Sequence, residues 1–265
     1  MQSKKILALG DFQCGHLGGL TPPAWHISQE REEEEGLTGW RNVQEVTWKR
    51  FKEIACKKEY DGLIVNGDVI DGHSFATAGR GLICSDIKGQ TDMATHIIKQ
   101  IHLKDNAEIA MTFGTPYHTG KLHRHEQDIA DRVGASIQPA QTIKIYDHII
   151  RARHKIGRSG TPVGGDIMLR KKMLEELQWE HDHSIPPADI YIFSHAHYFR
   201  HIEDAKWHAI ILPALQTWTE FGSTQCNGVI HWGIVELTMW ENGDVFVQKD
   251  LMELGNVTLN KPLEW

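Results

Sequence analysis

Short apolar runs that stop abruptly at polar residues recur along this chain, and they restrict its fold more than any other feature. Leu63, Ile64 and Val65 are followed at once by Asn66-Gly67-Asp68. Ile6 to Leu9 ends in Gly10-Asp11, Ile109 to Phe113 in Gly114-Thr115, and Ile190 to Phe193 in Ser194-His195-Ala196-His197. A continuous apolar run bounded by turn residues reads as a strand buried on both faces. Open α/β sheets bind ligands beyond the carboxyl ends of their strands. One Gly-Asp is an ordinary turn, but four endings that each deliver metal-competent residues to one edge predict a site.

The segments between these runs supply the rest of the alternation. Val43, Val46, Phe51, Ile54 and Ala55 recur at helical spacing within Gly39 to Tyr60, and Met93, Ile97, Ile98 and Ile101 within Thr91 to Leu103. Lys121 to Val133 and Ile167 to Glu180 are read as further helices. Strand, helix, strand, helix, strand is the signature of a parallel sheet. Later the pattern changes. Thr142 to His154 alternates around Tyr146-Asp147 as paired strands, and Asn242-Gly243 marks a hairpin between Gly233 to Met239 and Val245 to Lys249. Gln13 to Leu37 is expected to be a long loop whose acidic run, Glu30 to Glu35, is a solvated face or a helix start. Glycine-rich Gly157 to Gly165 is expected to be a loop over the site. Two mixed sheets packed together with helices outside accommodate all of this.

At 265 residues with no linker-like stretch, one domain spanning 1–265 is expected. The net charge of −7 argues against broad nucleic-acid binding through a uniformly basic surface. Cys14, Cys56, Cys84 and Cys226 form no CxxC pair, so free thiols are expected rather than a disulfide framework. No apolar h-region precedes the first strand, and no run approaches the ~20 apolar residues of a membrane span. A cytoplasmic protein with no membrane partner follows as the expectation.

Histidine is over-represented, with 17 imidazoles. At the strand ends the candidates are Asp11, Gln13, Asp68, Thr115, His118, His154, His195 and His197. Carboxylate oxygen mixed with imidazole nitrogen suits Mn²⁺, Fe²⁺ or Zn²⁺, and the lack of thiolate argues against a structural zinc site. Two divalent ions about 3.5–4 Å apart need an anion between them. Asp68, on an interior strand, is the natural bridge. In a loop curving off its strand, His195-Ala196-His197 can send one imidazole to each ion.

In order and strand context these motifs resemble the calcineurin-like metallophosphoesterases over residues 5 to about 250. That family's pattern is Asp-x-His, Gly-Asp, Gly-Asn-His-Asp/Glu, a lone His and Gly-His-x-His. The matching residues are Gly10-Asp11-Phe12-Gln13, Gly67-Asp68, Gly114-Thr115-Pro116-Tyr117-His118, His154 and Ser194-His195-Ala196-His197. The resemblance implies an αββα sandwich of two mixed sheets. It implies that Asp11, Asp68 and His197 hold one metal and that Asp68, His154 and His195 hold the other. Gln13 stands where a histidine ligand is usual, and Thr115 where asparagine is usual. His118 comes three residues after Thr115, either as the acid that stabilises the leaving group or as a ligand, with the acid preferred. Gly-Thr-Pro-x-His-x-Gly is similar to phage-encoded branches of the family.

The implied activity is hydrolysis of a phosphate mono- or diester by a metal-bridging hydroxide. The implied cofactors are two divalent ions, Mn²⁺ first and Fe²⁺, Zn²⁺ or Ni²⁺ as other choices. The substrate is a phosphorylated small molecule or a nucleic acid. The alternatives are a DNA or RNA nuclease of the same fold and a metal-binding scaffold with reduced catalysis, which the departures at Gln13 and Thr115 motivate. Arg151, Arg153 and Arg158 are candidates for anion contacts. His16 could replace the ligand lost at position 13, but the preferred reading places it behind the ligands or at the surface; His73 also lies close in sequence to Asp68, and His123, His125, His181 and His183 are read as exposed.

Overall fold

A computed structural model describes residues 1–75, 78–120, 125–157, 164–205, 207–219 and 230–253. Strands β1 (Ser3–Leu9), β2 (Glu59–Asn66), β3 (His102–Thr112) and β4 (Ser136–Gln138) run parallel, with β10 (Trp232–Trp240) and β11 (Val245–Met252) added antiparallel at the β1 edge. The six-stranded order is β11-β10-β1-β2-β3-β4. A five-stranded sheet, β5-β6-β7-β9-β8, combines β5 (Gln141–Ile145), β6 (His148–Lys155), β7 (Ile190–Ser194), β8 (Arg200–Asp204) and β9 (Trp207–Ile211). In it β6, β7 and β9 are parallel while β5 and β8 pair antiparallel at the edges.

Alternation along each strand builds the layers. Leu7, Leu9, Leu63 and Val65 face Phe51, Ile54, Met93 and Ile97 of helices α2 (Trp40–Ala55) and α3 (Ile87–Ile98). The residues between them, Ile6, Ala8 and Ile64, face Ile150, Ala152, Ile190 and Ile192 of the second sheet. Tyr191, Phe193, Ala209 and Ile211 then turn outward onto Leu169 and Met173 of helix α6 (Gly164–Asp182). Each sheet is thus apolar on both faces, which is why the strands read as unbroken apolar runs. Complete burial of one such Leu or Ile contributes about 1.5–3 kcal/mol. The four layers are helix, sheet, sheet, helix, the αββα sandwich expected.

Local boundaries differ from the periodic reading at several places. Helix α2 ends at Ala55 rather than Tyr60, and β3 already begins at His102. Glu59 pairs with His102 and Tyr60 with Leu103 before a register shift, so sheet pairing captures residues whose spacing was helical. The expected loop from Gln13 contains a 3₁₀ turn at Pro23–Trp25 and helix α1 (Gln29–Glu34), whose start is capped by Ser28 accepting from the Arg31 N–H. Much of the Gly157 to Gly165 loop, Arg158 and His123 lie outside the described residues. Among the described residues no helix is long and apolar enough to cross a membrane.

Candidate metal centre

The carboxyl ends of β1, β2 and β7 meet at one place because their loops are hydrogen-bonded to each other. Asp11 N–H donates to the Gly67 carbonyl (3.0 Å), Gln13 N–H to the Asp68 carbonyl (3.1 Å), and His195 N–H to Asp11 Oδ2 (3.0 Å). Asp11, Gln13, Asp68, His195 and His197 all have positive φ, between 49° and 71°. A left-handed backbone at a non-glycine residue costs roughly 1–2 kcal/mol. Five such residues at one sheet edge are strain concentrated at a site.

Asp68 lies at the centre, with no exposure to solvent. Its Oδ1 accepts from the Thr115 N–H (2.6 Å) and hydroxyl (3.2 Å). Its Oδ2 faces His154 Nε2 at 2.9 Å, His195 Nδ1 at 3.7 Å and His118 Nε2 at 3.8 Å. Burial would raise the Asp68 pKa, but the His154 and then the His118 imidazole hold it well below the ordinary carboxylate value. Donor atoms of Asp68, His154 and His195 all lie within 4.8 Å of one another. These are the three residues assigned above to the second ion.

His154 is arranged to share a positive charge, a proton or a metal ion, with Asp68. Its Nδ1–H donates to the Asn66 carbonyl at 2.7 Å, an acceptor that fixes the tautomer and aims the Nε2 lone pair at Asp68. A backbone carbonyl in this role is the usual outer partner of a metal-ligating imidazole. Two acceptors then face each other unless a proton or a metal ion lies between them. In the metal-free protein the proton fills that need. Burial would lower the His154 pKa, yet Asp68 raises it to about 10.

A prediction follows for metal-free protein. An unfolded imidazole titrates near 6.5, so stabilisation from protonated His154 is complete below that pH and is lost as pH rises through about 10. Melts followed by circular dichroism with chelator present are expected to show a falling Tm across that range. His154→Gln is expected to flatten the fall. Equal slopes for the two proteins would mean that the His154–Asp68 pair is not formed.

Asp11 and His197 form the other half of the centre. His197 Nε2 lies 3.3 Å from Asp11 Oδ1, outside hydrogen-bonding geometry. Burial acts to raise the Asp11 pKa, and His197 overrides it to hold the value below the usual one. Asp11 Oδ1 and Gln13 Oε1 are both buried and, among the described residues, have no hydrogen-bond partner. Buried acceptors are rarely left unpaired. Two of them at one sheet edge, beside a carboxylate and imidazole donor set, fit hard or borderline divalent ions.

The remaining candidates separate. Thr115 spends both its N–H and its hydroxyl on Asp68. His118, in helix α4 (Pro116–Thr119), donates from Nδ1 to the Asp71 carbonyl (2.8 Å), which turns Nε2 toward Asp68. His16 Nδ1 accepts from the Gly18 N–H (3.0 Å), and His73 is exposed. Arg151 is buried against Glu180 (3.3 Å) and Arg153 pairs with Glu176 (2.9 Å), so both are committed to α6.

Two contributors escaped the motif reading, and a third, Gly67, was read only as part of the Gly-Asp turn. Asn66 Nδ2 donates to Ser194 Oγ (2.8 Å) and the Arg153 carbonyl (3.0 Å), while its Oδ1 accepts from Thr112 (2.8 Å). It therefore ties both sheets together directly behind Asp68. Glu126, in helix α5 (His125–Val133), accepts from the N–H groups of Val69 (3.2 Å) and Gly114 (2.6 Å) and clamps the two loops that flank Asp68. Burial, and secondarily Asp68, raises its pKa to about 7. The signal available in the sequence was a glutamate on the apolar face set by Ile129 and Ala130. Gly67 is the third. It has φ 74°, and a Cβ there would lie 2.6 Å from His154 Nδ1.

No protein-family model matches this chain, and no curated protein matches it. Solved structures do resemble it. Vps29 from Chaetomium thermophilum aligns with a TM-score of 0.46 and 10% identity, covering 94% of this chain and 97% of the other. An archaeal phosphodiesterase aligns at 0.42 and 13% identity, covering 92% and 99%. A conserved protein described as a predicted phosphoesterase from Streptococcus pneumoniae TIGR4 aligns at 0.40 and 8%, covering 95% and 99%. All three TM-scores lie below 0.5, so these likenesses identify no activity and no ligand for this chain.

Proposed function

We propose that this chain is a metal-dependent phosphoesterase that hydrolyses a phosphate mono- or diester at a site for two divalent ions, Mn²⁺ first among them. The observation that carries the reading is the Asp68, His154 and His195 donor set together with the unpartnered buried acceptors Asp11 Oδ1 and Gln13 Oε1. Asp11, Gln13, Asp68 and His197 would hold one ion, and Asp68, His154 and His195 the other. Divalent ions bound in this way lower the pKa of water and neutralise phosphoryl oxygens.

The chain's own contribution is positioning and proton supply. Asn66 and Thr115 orient the His154 ring and the Asp68 carboxylate, so the donors need no rearrangement. His118 is the acid. Burial would lower its pKa, but Asp68 and then Asp71 raise it above the ordinary imidazole value, which favours the protonated ring. With Nδ1 held by the Asp71 carbonyl, the proton on Nε2 is the one available to a leaving alkoxide. A cleft of about 480 Å³ adjoins the centre, lined by Thr115 and His154 and by Lys155, Lys171 and Lys172. Lys171 and Lys172 pair with Glu175 and Glu176 at 3.3–4.0 Å, which offsets part of their charge, and together with Lys155 the lysines favour a phosphate-bearing substrate that extends past the scissile group. They are also the observation behind the second reading, a nuclease of the same fold.

The test is turnover of p-nitrophenyl phosphate, its bis ester, and single- and double-stranded DNA with added Mn²⁺. Cleavage of at least one that stops on chelation is expected. Metal binding without cleavage of any would replace the enzyme with a metal-binding scaffold.

A further inference from the structure

A second group of metal-competent side chains lies on the β8–β9 edge of the five-stranded sheet. In the antiparallel register Glu203 faces His208 and His201 faces Ile210. Alternation therefore brings His201, Glu203 and His208 to one face. It is the face that carries Phe199 and Ile210 into the layer between the sheets, whereas Ile202, Ala209 and Ile211 point to α6. His208 pairs with Ile190, the first residue of β7, while His195 follows Ser194, its last. At about 3.3 Å per residue, five residues place the group roughly 17 Å along the sheet from His195 of the Asp68 centre.

From this geometry we propose that His201 Nε2, His208 Nδ1 and a Glu203 carboxylate oxygen form an independent site for one borderline divalent ion, with Zn²⁺ as its probe. The three donor atoms all lie within 4.8 Å of one another, and the two nitrogens are 3.1 Å apart. With zinc–nitrogen bonds of about 2.0–2.1 Å, tetrahedral ligands are about 3.3 Å apart and octahedral ones about 2.9 Å. The observed separation falls between the two. The rings are nearly parallel, 18° apart. Burial lowers the pKa of both imidazoles, which favours the neutral form that binds metal.

The competing explanation is an N–H···N hydrogen bond between the rings, with Glu203 as a solvated charge beside both. The Glu203 side chain is exposed and, among the described residues, makes no hydrogen bond or ion pair. The neighbouring His148 is not a rival ligand. Its Nδ1 is taken by Asp189, and its Nε2 hydrogen-bonds the Gly243 carbonyl at 3.0 Å. Two imidazoles and one carboxylate leave a further coordination position for water, the usual composition of an open zinc site.

The experiment strips the full chain with chelator, re-equilibrates it with Zn²⁺ alone and counts the zinc retained per chain. His201→Ala combined with His208→Ala is expected to retain one ion fewer than wild type, a difference that is read whether or not the Asp68 centre binds zinc. Glu203→Gln, at an exposed position that preserves the fold, is expected to weaken the affinity for that ion at least about tenfold. In wild type the ring resonances of His201 and His208 should shift on zinc addition. Equal zinc counts in wild type and a folded double variant would overturn the site, and so would an unchanged affinity in Glu203→Gln.

Discussion

Asp68→Asn is expected to lower phosphoester hydrolysis by about a thousandfold or more while leaving the fold intact. The substitution preserves shape and burial but removes the charge that faces three imidazoles, His154, His195 and His118. An amide also offers only one acceptor oxygen. If that oxygen stays with the Thr115 N–H, the NH₂ group is left against His154 Nε2. An amide in place of the proposed shared carboxylate, set against a neighbouring donor, would forfeit electrostatic stabilisation worth about 4 kcal/mol, which corresponds to a thousandfold in rate. Steady-state hydrolysis and the bound-metal count should fall together. Undiminished turnover would remove Asp68 from the centre of the mechanism.

The largest stability effect is expected at Asn66. Its side chain makes three hydrogen bonds, to Ser194, the Arg153 carbonyl and Thr112, which reach β6 and β7 of one sheet and β3 of the other. Asn66→Ala deletes all three and strands partners in a layer closed to water. At about 1–3 kcal/mol for each buried group left unpaired, part of it relieved by relaxation, the loss is about 3–5 kcal/mol. For a chain of this size that is a Tm lower by about 6–15 °C. The Asn66 carbonyl that holds His154 belongs to the backbone and survives, so metal affinity should change much less than stability. A Tm within about 2 °C of wild type would contradict the cross-sheet role.

Much of the candidate site could be read from the sequence because its candidate donors sit at strand ends, and strand ends are written locally. The apolar run Leu63 to Val65 and the turn residues after it are adjacent in the chain, so Asp68 could be placed without knowing its neighbours. His195-Ala196-His197 was legible for the same reason. Its two imidazoles do diverge, toward Asp68 and toward Asp11. Thr115 and His118 were harder. The short helix at Pro116–Thr119 and the two hydrogen bonds of Thr115 to Asp68 depend on a loop from another strand.

Glu126 and Asn66 were effectively hidden. A glutamate in an amphipathic helix and an asparagine before a glycine have ordinary local explanations, a solvated face and a turn. Only packing brings Glu126 to two backbone N–H groups, one of them 57 residues away, or Asn66 to Ser194, 128 residues away. Likewise His201 and His208 were two among 17 imidazoles until the β8–β9 register put them on one face.

By itself, then, the sequence determined which strands are buried on both faces, which residues stand at their ends and which donor chemistry gathers there, because periodicity and side-chain type belong to each residue. The tertiary structure alone decided the left-handed backbone at five of those residues, the tautomer of His154 and the loop clamp by Glu126. These follow from hydrogen bonds between segments far apart in the chain, and such bonds exist only once register and packing bring the segments together.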